Sequence, residues 1–335
     1  MPFGIISTTG VAGLTLSGGH GYLSRQYGLA LDNLIEADVV LADGSFVTAS
    51  EAESTDLFWA LRGGGGNFGV VTSFLFRTNP AGTIYGGPII FDLADAATVM
   101  RWYRDFQSNA PNEFYIFLGL QTVPPGDPFP KEHWGKKMCA LLVSHNGPIA
   151  EGRKAVNAIR AALPKPIIDW AGPMPYTALQ SLFDGLYPKG LQMYWKGDFV
   201  KTLPDAAIDA HIAQAAKLPG PVSLMHLYPI DGAVHRKKPD ASAWNCRDAT
   251  WSLVIVGVDS DPAKAPALKK WAHDYWDAVH PFDLDGAYPN FMMDDEGEAR
   301  LKATYGGNYQ RLAALKKKYD PANLFHVNHN IRPAA

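Results

Sequence analysis

The chain has 335 residues, of which 30 are Lys or Arg and 33 are Asp or Glu, so its formal net charge is −3. This length allows about two domains, and a hydrophobic content of 47% excludes disorder. The sequence has no basic stripe, which argues against a nucleic acid or an anionic membrane surface as a partner. Cys139 and Cys246 lie in no CxxC or Cys/His pattern, so neither a disulfide framework nor a metal site is predicted.

The N-terminal residues do not have the pattern of a secretory signal peptide. They lack a basic region and a clear small-residue cleavage site, both of which a secretory signal needs. No stretch approaches the roughly 18 uncharged apolar residues of a membrane-spanning helix. We therefore expect a cytoplasmic protein.

Two glycine clusters lie in the first ninety residues, with a hairpin signal between them. Asp43-Gly44 joins two β-branched runs and predicts a two-residue hairpin turn. Ser50 and Glu53 have the spacing of a capping box, which predicts a short helix over residues 56–62. The second cluster follows over 63–69, and alternation then predicts a strand over 70–77. The first cluster comprises Gly10, Gly13, Gly18, Gly19, Gly21 and Gly28.

The second glycine cluster formally matches a dinucleotide fingerprint, since Gly64, Gly66 and Gly69 have GxGxxG spacing. That fingerprint needs a strand before the glycines and a helix after them. Here the predicted order is helix, glycines, strand, so a Rossmann site is not predicted. Bare glycine backbone can still approach a phosphate or a flat ring closely, or it can simply form turns in a small sheet.

From about residue 84 the predicted elements are longer and more widely spaced. Two or three strands fall between helices, which indicates an α+β fold with an antiparallel sheet covered by helices on one face. Strands are predicted over 84–91, 114–123, 137–144, 223–230 and 250–258, and helices over 94–107, 149–162, 205–216, 262–279 and 308–319.

Longer motifs surround the glycines, and another motif lies near the C-terminus. They read Gly10-Val-Ala-Gly, Ser17-Gly-Gly-His-Gly-Tyr, Asp56-Leu-Phe-Trp-Ala-Leu-Arg with the glycines after it, and Lys318-Tyr-Asp-Pro-Ala-Asn-Leu-Phe. In this order they closely resemble the berberine-bridge-enzyme-like FAD-linked oxidoreductases, which are vanillyl-alcohol-oxidase or PCMH-type flavoproteins. The resemblance implies the second lobe of a PCMH-type FAD-binding domain over residues 1–82. It also implies a substrate-binding α+β domain over 83–303, and a C-terminal helix and strand over 304–335 that return to the FAD lobe.

The resemblance also indicates what this chain lacks. The family's first lobe carries an Arg-x-Gly-Gly-His loop that grips the pyrophosphate and usually attaches the flavin through its histidine. No such loop occurs in this sequence, so the first lobe is expected to be absent. His20 lies inside the second-lobe motif and is not expected to replace that histidine. Ile6 occupies the position of the second flavin-linking residue, a cysteine, so FAD is expected to be bound non-covalently or lost.

The family motifs imply a set of site residues. Family oxidases take a hydroxyl proton with a tyrosine of a Tyr-x-Asn-Tyr segment while hydride passes to flavin N5. The corresponding stretch here begins at Tyr288 and ends at Phe291, so the usual base position is a phenylalanine and Tyr288 with Asn290 are the catalytic candidates. In a strand, these two would face one side and Phe291 the other. Tyr288 can alternatively be a half-buried aromatic without a role in catalysis. Implied FAD contacts are Gly10, Gly13, Gly18, Gly19, Gly21, Tyr22, Gly65, Asn67, Gly69, Val71, Asn328 and Asn330.

Three other features have both a functional and a structural interpretation. The carboxylates at 294–296 suit a divalent metal or, more simply, the N-terminus of a helix. Asn328 and Asn330 either lie near the flavin or hydrogen bond a terminal strand. A further set of side chains either lines an aromatic substrate pocket or belongs to the core. That set comprises Phe183, Tyr187, Met193, Tyr194, Trp195 and Tyr228.

The leading functional hypothesis is an FAD-dependent oxidoreductase, truncated at its N-terminus, that transfers hydride from a small alcohol, sugar or natural product to flavin N5. The alternative is a flavin-free shortened homologue that binds a small molecule or catalyses a non-redox reaction. The expected partner is a small-molecule substrate. A homodimer, or a contact through the face left by the missing lobe, is also consistent with the sequence.

Overall fold

Two antiparallel sheets organise the fold of the computed structural model, which describes residues 2–326 and 329–335. The first sheet has three strands in the order β2-β1-β3, so the first strand of the hairpin is central. The hairpin itself is confirmed, because Val40 pairs with Phe46. Its turn is longer than the predicted two residues, since the Leu41 N–H donates to the Ser45 carbonyl oxygen at 2.9 Å and Ala42, Asp43 and Gly44 form the loop. The elements of this region are α1 Val11–Leu16, α2 Ser24–Tyr27, β1 Leu34–Val40, β2 Phe46–Ser50, α3 Thr55–Leu61 and β3 Val70–Phe76.

The start of α3 differs from the predicted capping box. Ser50 is the last residue of β2, and its hydroxyl accepts hydrogen bonds from the backbone N–H groups of Ala52 at 3.2 Å and Glu53 at 3.1 Å. The helix begins only after Ser54, whose φ is 44°. The capping-box prediction is therefore wrong, because the Ser50 hydroxyl closes a turn between the strand and the helix.

The second sheet has eight strands and follows the first in the chain. Its order is β7-β4-β6-β5-β10-β11-β9, and β8 also pairs with β4. All five predicted strands are present, whereas the short β7 and β8 and the long β9 were not predicted. The strands are β4 Thr83–Asp92, β5 Phe114–Thr122, β6 Lys137–His145, β7 Ile168–Asp169, β8 Gly172–Pro175, β9 Gln192–Val200, β10 Leu224–Pro229 and β11 Trp251–Asp259.

Helices cover one face of the large sheet, as predicted. Alternation sends Ile116 and Leu118 of β5 towards these helices, and Phe117 to the opposite side. We call the two sides the helix face and the pocket face. Over the described residues, no helix combines the length and the apolar character needed to cross a bilayer. The helices are α4 Ala96–Gln107, α5 Ile149–Ala162, α6 Tyr176–Gln180, α7 Asp205–Ala215, α8 Ala265–Val279, α9 Gly297–Tyr305 and α10 Tyr309–Tyr319. The covering helices are α4, α5, α7 and α8.

A second core joins the two ends of the chain. Val39 of β1, Phe58 of α3 and Leu312 of α10 are buried together in it. Lys316, also on α10, is fully buried and donates to the carbonyl oxygen of Asn67 at 2.7 Å, and its charge is paired with Asp320 at 2.6 Å. The C-terminal helix is therefore fixed against the glycine-rich loop after α3.

Arg25 anchors the N-terminal segment to one end of the large sheet. Its side chain is 3% exposed, and its Nε donates to Asp231 at 2.6 Å. The guanidinium also donates to the carbonyl oxygens of Ala110 at 2.9 Å and Pro111 at 2.7 Å. A buried charge with this many partners is costly to leave unpaired. Residues 17–33 are thereby held close to the pocket face.

We predict that Arg25→Met lowers the free energy of unfolding by about 3–5 kcal/mol, because it leaves the Asp231 carboxylate buried without its ion partner. Urea denaturation at pH 7 measures this loss. The matched control is Lys201→Met, which removes a cation whose pair with Asp248 is exposed, and it is expected to leave the unfolding midpoint unchanged within error. Equal losses for the two variants would contradict the anchoring role.

Candidate functional site

Two cavities meet between the N-terminal segment and the loop that contains Tyr288. They have volumes of about 470 Å³ and 460 Å³, and both are lined by Gly13 and Asn290. We call the pair the trough. The larger cavity reaches His20 and Tyr228, and the smaller one reaches Gly65, Asn67, Tyr305 and His329. Both volumes lie in the range of ligand-binding pockets.

Three of the glycines predicted to contact FAD line the trough with bare backbone. A Cβ atom added at Gly10 or Gly13 would have no other atom within 4 Å, and one added at Gly65 would come no closer than 3.4 Å to the Ser17 hydroxyl. The space beside these residues is therefore open to a ligand, and a flat ring or a phosphate can approach their backbone directly.

At four other predicted FAD contacts, glycine is needed because neighbouring segments pack too closely for a side chain. A Cβ at Gly18 would lie 2.8 Å from the Tyr288 ring, and one at Gly19 would lie 2.3 Å from Ala30. The corresponding distances are 2.4 Å to the Gly4 carbonyl oxygen at Gly21 and 2.5 Å to Val39 at Gly69. These four glycines let neighbouring segments approach, and they do not line the trough.

Tyr288 and Asn290, the predicted catalytic pair, are in contact in the wall of the trough. The phenolic oxygen of Tyr288 accepts a hydrogen bond from the side-chain amide of Asn290 at 2.7 Å and another from the backbone N–H of Gly19 at 2.9 Å. Burial raises the pKa of Tyr288 to about 12, while these two donors act in the opposite direction. The arrangement therefore favours the phenolate more than burial alone would.

The backbone around this pair differs from the predicted strand. Pro289–Phe291 form a 3-10 turn, so the alternation that would separate Phe291 from Tyr288 and Asn290 is wrong. Proline cannot donate to a strand ladder, which explains why the turn forms here. All three side chains line the larger cavity as a result.

His20 is a site residue for which the sequence offered only a flavin-linking interpretation. Its side chain is 2% exposed, and its ring centroid lies 4.5 Å from that of Tyr288 and 5.2 Å from that of Tyr228. Neither ring nitrogen has a hydrogen-bond partner within the described structure. Burial lowers the pKa of His20 to about 3, so the ring is neutral at pH 7. A buried polar group without a partner in a cavity wall is where a ligand can form a hydrogen bond.

A second polar pair lies on the pocket face beside the trough. His226 and Tyr228 are two residues apart on β10 and face the same side, with 2.6 Å between His226 Nδ1 and the Tyr228 phenolic oxygen. Burial lowers the pKa of His226 to about 3. The pair gives this largely apolar wall a polar contact point.

The predicted aromatic pocket residues lie in three different places. Trp195 and Tyr228 line the trough, and Phe183, Tyr187 and Met193 line an adjacent smaller cavity. Tyr194 belongs to the helix-face core, where its hydroxyl lies 2.8 Å from His273 Nε2 and donates to Asp295 at 3.0 Å.

Two of the remaining predicted FAD contacts have structural roles. The buried Tyr22 packs against Tyr115 and Phe117 on the pocket face. Val71 pairs with Val39 in the small sheet. Neither residue lines the trough.

The three asparagines predicted to contact FAD differ from one another. Asn67 lines the smaller cavity, but its amide donates to the Gly64 carbonyl oxygen at 2.8 Å and its side-chain oxygen accepts from the Ile331 N–H at 3.1 Å. The side-chain oxygen of Asn330 is buried and has no hydrogen-bond partner among the described residues. Asn328 lies outside the described residues.

Two of the three carboxylates before α9, Asp295 and Glu296, form ion pairs with cations. Asp295 pairs with Lys269, and Glu296 pairs with Lys196 at 2.8 Å and with Arg300 at 3.2 Å. Glu296 precedes α9, yet its side chain does not cap the helix. Within the described residues, no group of three or more His, Cys, Asp or Glu is arranged to hold a metal ion.

Two family models match segments of this chain that contribute to the two walls of the trough. Residues 1–50 match the family model for an FAD binding domain, and residues 287–332 match the model described as berberine and berberine like. The first range contains Gly10, Gly13 and His20, and the second contains Tyr288 and Asn290. The resemblance inferred from the sequence motifs is confirmed.

Individual relatives extend this similarity over nearly the whole chain. An FAD-linked oxidoreductase of Aspergillus ruber is 31% identical, with 97% of this chain and 67% of the relative covered. Xylooligosaccharide oxidase of Thermothelomyces thermophilus is 29% identical, with 97% and 68% covered. The solved structure of wild-type BBE-like 1 from Physcomitrella patens superimposes with a TM-score of 0.84 at 26% identity, covering 100% of this chain and 73% of that one. The predicted α+β, PCMH-type fold is confirmed.

The lowered pKa of His20 predicts a pH-dependent loss of stability. Below pH 6.5 the unfolded chain takes up a proton on this residue and the folded chain does not until about pH 3, so the free energy of unfolding falls as pH falls. Between pH 7 and pH 5, His20 contributes about 2 kcal/mol of this loss. In His20→Phe, urea denaturation at both pH values should show a fall in the free energy of unfolding that is about 2 kcal/mol smaller than in the wild-type protein. The control Phe291→Leu alters the same aromatic cluster and should keep the wild-type loss, and identical losses in all three proteins would contradict the buried, neutral state of His20.

Proposed function

Because this chain belongs to the berberine-bridge-enzyme-like FAD-linked oxidoreductases, we propose that it binds FAD in the trough and oxidises a small organic alcohol, sugar or natural product beside Tyr288. The observation that carries this proposal is the position of the trough. It joins glycines with open backbone to a buried tyrosine whose oxygen accepts two hydrogen bonds. The residues proposed to bind FAD and the residue proposed to act on the substrate therefore line the same trough.

The trough residues fit a flavin ring and its attached chain. Gly10 and Gly13 offer bare backbone on one side, and Gly65 does so in the smaller cavity. Ile6 also lines the larger cavity and has no group that could bond to a flavin, which supports non-covalent binding. When bound, FAD would accept a hydride from a carbon atom of the substrate.

Tyr288 is the residue proposed to handle the substrate's hydroxyl proton. Tyr288 lines the larger cavity, and the N–H donors of Gly19 and Asn290 stabilise the phenolate that can accept this proton. Tyr288 must lose its own proton before it acts as a base. Its raised pKa therefore predicts a rate that increases with pH.

His20 and Tyr228 are proposed to orient the substrate. His20 presents nitrogens with no partner in the described structure, and the Tyr228 hydroxyl is fixed by its contact with His226. Both residues line the larger cavity together with Tyr288. A substrate oxygen placed there would replace a missing hydrogen bond.

We predict that the purified protein binds added FAD, and that Gly13→Leu weakens this binding at least tenfold, or about 1.4 kcal/mol, because the new side chain enters the trough. Gly13 is exposed and its Cβ direction is free, so the variant should fold. The matched control is Gly307→Leu, another exposed glycine with open space, which lies away from the trough. Quenching of flavin fluorescence during titration measures the dissociation constants.

Two outcomes of this titration would count against the proposal. Equal affinities in the two variants would place FAD outside the trough. A protein that binds no FAD, while a metabolite panel raises its melting temperature, would favour the flavin-free small-molecule-binding protein.

A second prediction concerns the pH dependence of the reaction. With FAD bound and a panel of sugars and aryl alcohols as substrates, the rate of flavin bleaching without oxygen should rise about tenfold per pH unit between pH 7 and pH 10. Tyr288→Phe should abolish this slope and lower the rate by about 10²–10⁴-fold while FAD affinity is kept. Asn290→Leu should lower the rate and retain the slope, since it removes one donor to the phenolate. A flat profile in the wild-type protein would rule out Tyr288 as the base.

A further inference from the structure

The pocket face continues beyond the trough into two further cavities. The first is a narrow slot of about 90 Å³ that shares Trp195 and Tyr228 with the trough. The second is a chamber of about 330 Å³ that shares Phe183 and Tyr187 with the slot. The trough, the slot and the chamber therefore follow one another along the same face of the large sheet.

The inner wall of the chamber is made by alternate residues of β6. Met138, Ala140 and Leu142 line it, whereas Cys139 and Leu141 between them face the helices. Phe117 of β5 and Ile90 of β4 extend the wall on either side, and both are buried. This side of the chamber is rigid because it is the sheet itself.

The outer wall comes from loops. Leu182 and Phe183 follow α6, Phe129 belongs to the proline-rich loop after β5, and the Trp170 ring lies 5.3 Å from the Phe129 ring. Leu182 is 38% and Trp170 40% exposed, so this wall borders solvent. The chamber can therefore be reached by a ligand.

The polar groups of the chamber are few. Among the described residues that line it, Asp127 is the single charged side chain, and it is exposed. The Gln121 amide donates to the Tyr187 hydroxyl, although the distance of 3.4 Å is long. A sugar would lose the hydration of several hydroxyl groups here without replacement, whereas an apolar group would gain by leaving water.

We propose that the chamber binds a neutral apolar group, an aryl or alkyl arm of the substrate. Resting on the proposed function, this inference defines the substrate class as an alcohol with an apolar arm, whose hydroxyl lies near Tyr288 while the arm passes the slot. The volume suits one or two fused rings or a medium-length alkyl chain. The polar contacts at His20 and the His226–Tyr228 pair serve the hydroxyl end.

The test uses the neutral fluorescent probe N-phenyl-1-naphthylamine on the purified protein without added FAD. We expect one molecule to bind per chain with a blue-shifted emission. Ala140→Trp should weaken this binding at least tenfold, because the indole fills the chamber from the sheet side. The matched control is Ala162→Trp, which adds the same side chain at an exposed position of α5.

A second variant keeps the test valid if Ala140→Trp fails to fold. Leu182→Glu introduces a charge from the exposed outer wall, where it should not disturb the core, and it should also weaken the probe at least tenfold. Far-ultraviolet circular dichroism and the melting temperature verify folding. Unchanged probe binding in folded Leu182→Glu or Ala140→Trp would overturn the proposal.

Displacement of the probe separates substrate classes. The concentration of a straight-chain alcohol that displaces half of the probe should fall about fourfold for each added methylene, and glucose should not displace the probe. Displacement by glucose, or no dependence on chain length, would overturn the assignment to an apolar arm. Since no step needs FAD, probe binding by a protein that binds no flavin would reject the proposed oxidoreductase function and leave the chamber intact.

Discussion

The contact between the Gly18-Gly19 backbone and Tyr288 is the constraint on which the site depends. The absence of a side chain at Gly18 lets the Tyr288 ring lie against the backbone, where a Cβ would be only 2.8 Å away, and the Gly19 N–H then donates to the phenolic oxygen. This contact joins residues 269 positions apart in sequence. It brings the segment that matches an FAD binding domain against the segment that matches the berberine-like family. This contact therefore joins the two walls of the trough directly.

The site also contains buried polar groups that have no hydrogen-bond partner in the described structure. Both nitrogens of His20 and the Nε2 of His226 are buried without partners in the described part of the chain. Arg25 and Lys316, by contrast, are buried charges with ion partners, Asp231 and Asp320. Unpaired buried groups cost stability, and those of His20 and His226 belong to residues that line cavities, where a ligand can supply the missing hydrogen bonds.

Sequence patterns predicted much of the fold because local periodicity carries the information. The hairpin at Asp43-Gly44 and the five apolar strands of the large sheet follow from turn chemistry and alternation. Strand β9 was not predicted because Lys196 and Asp198 interrupt its apolar pattern. Their ion partners, Glu296 and Arg300, are distant in sequence. The turn at Pro289 was missed because a strand was assumed where proline cannot join a ladder.

The site was only partly predictable from sequence. Family motifs singled out the glycines, but not which of them face a cavity and which face a neighbouring segment, because that depends on tertiary contacts. Gly13 and Gly18 have the same residue type and opposite surroundings, one open and one closed by Tyr288 and Trp244. His20 carried no signal of its own, because its importance lies in the three aromatic rings that surround it.

We propose that one trough brings a flavin ring and Tyr288 together, and a crystal structure of the protein with FAD would test this. We expect electron density for the isoalloxazine ring against the backbone of Gly10 and Gly13, with the Tyr288 hydroxyl facing the same space. Density for the ring at any other surface, or a ring separated from Tyr288 by protein side chains, would contradict it.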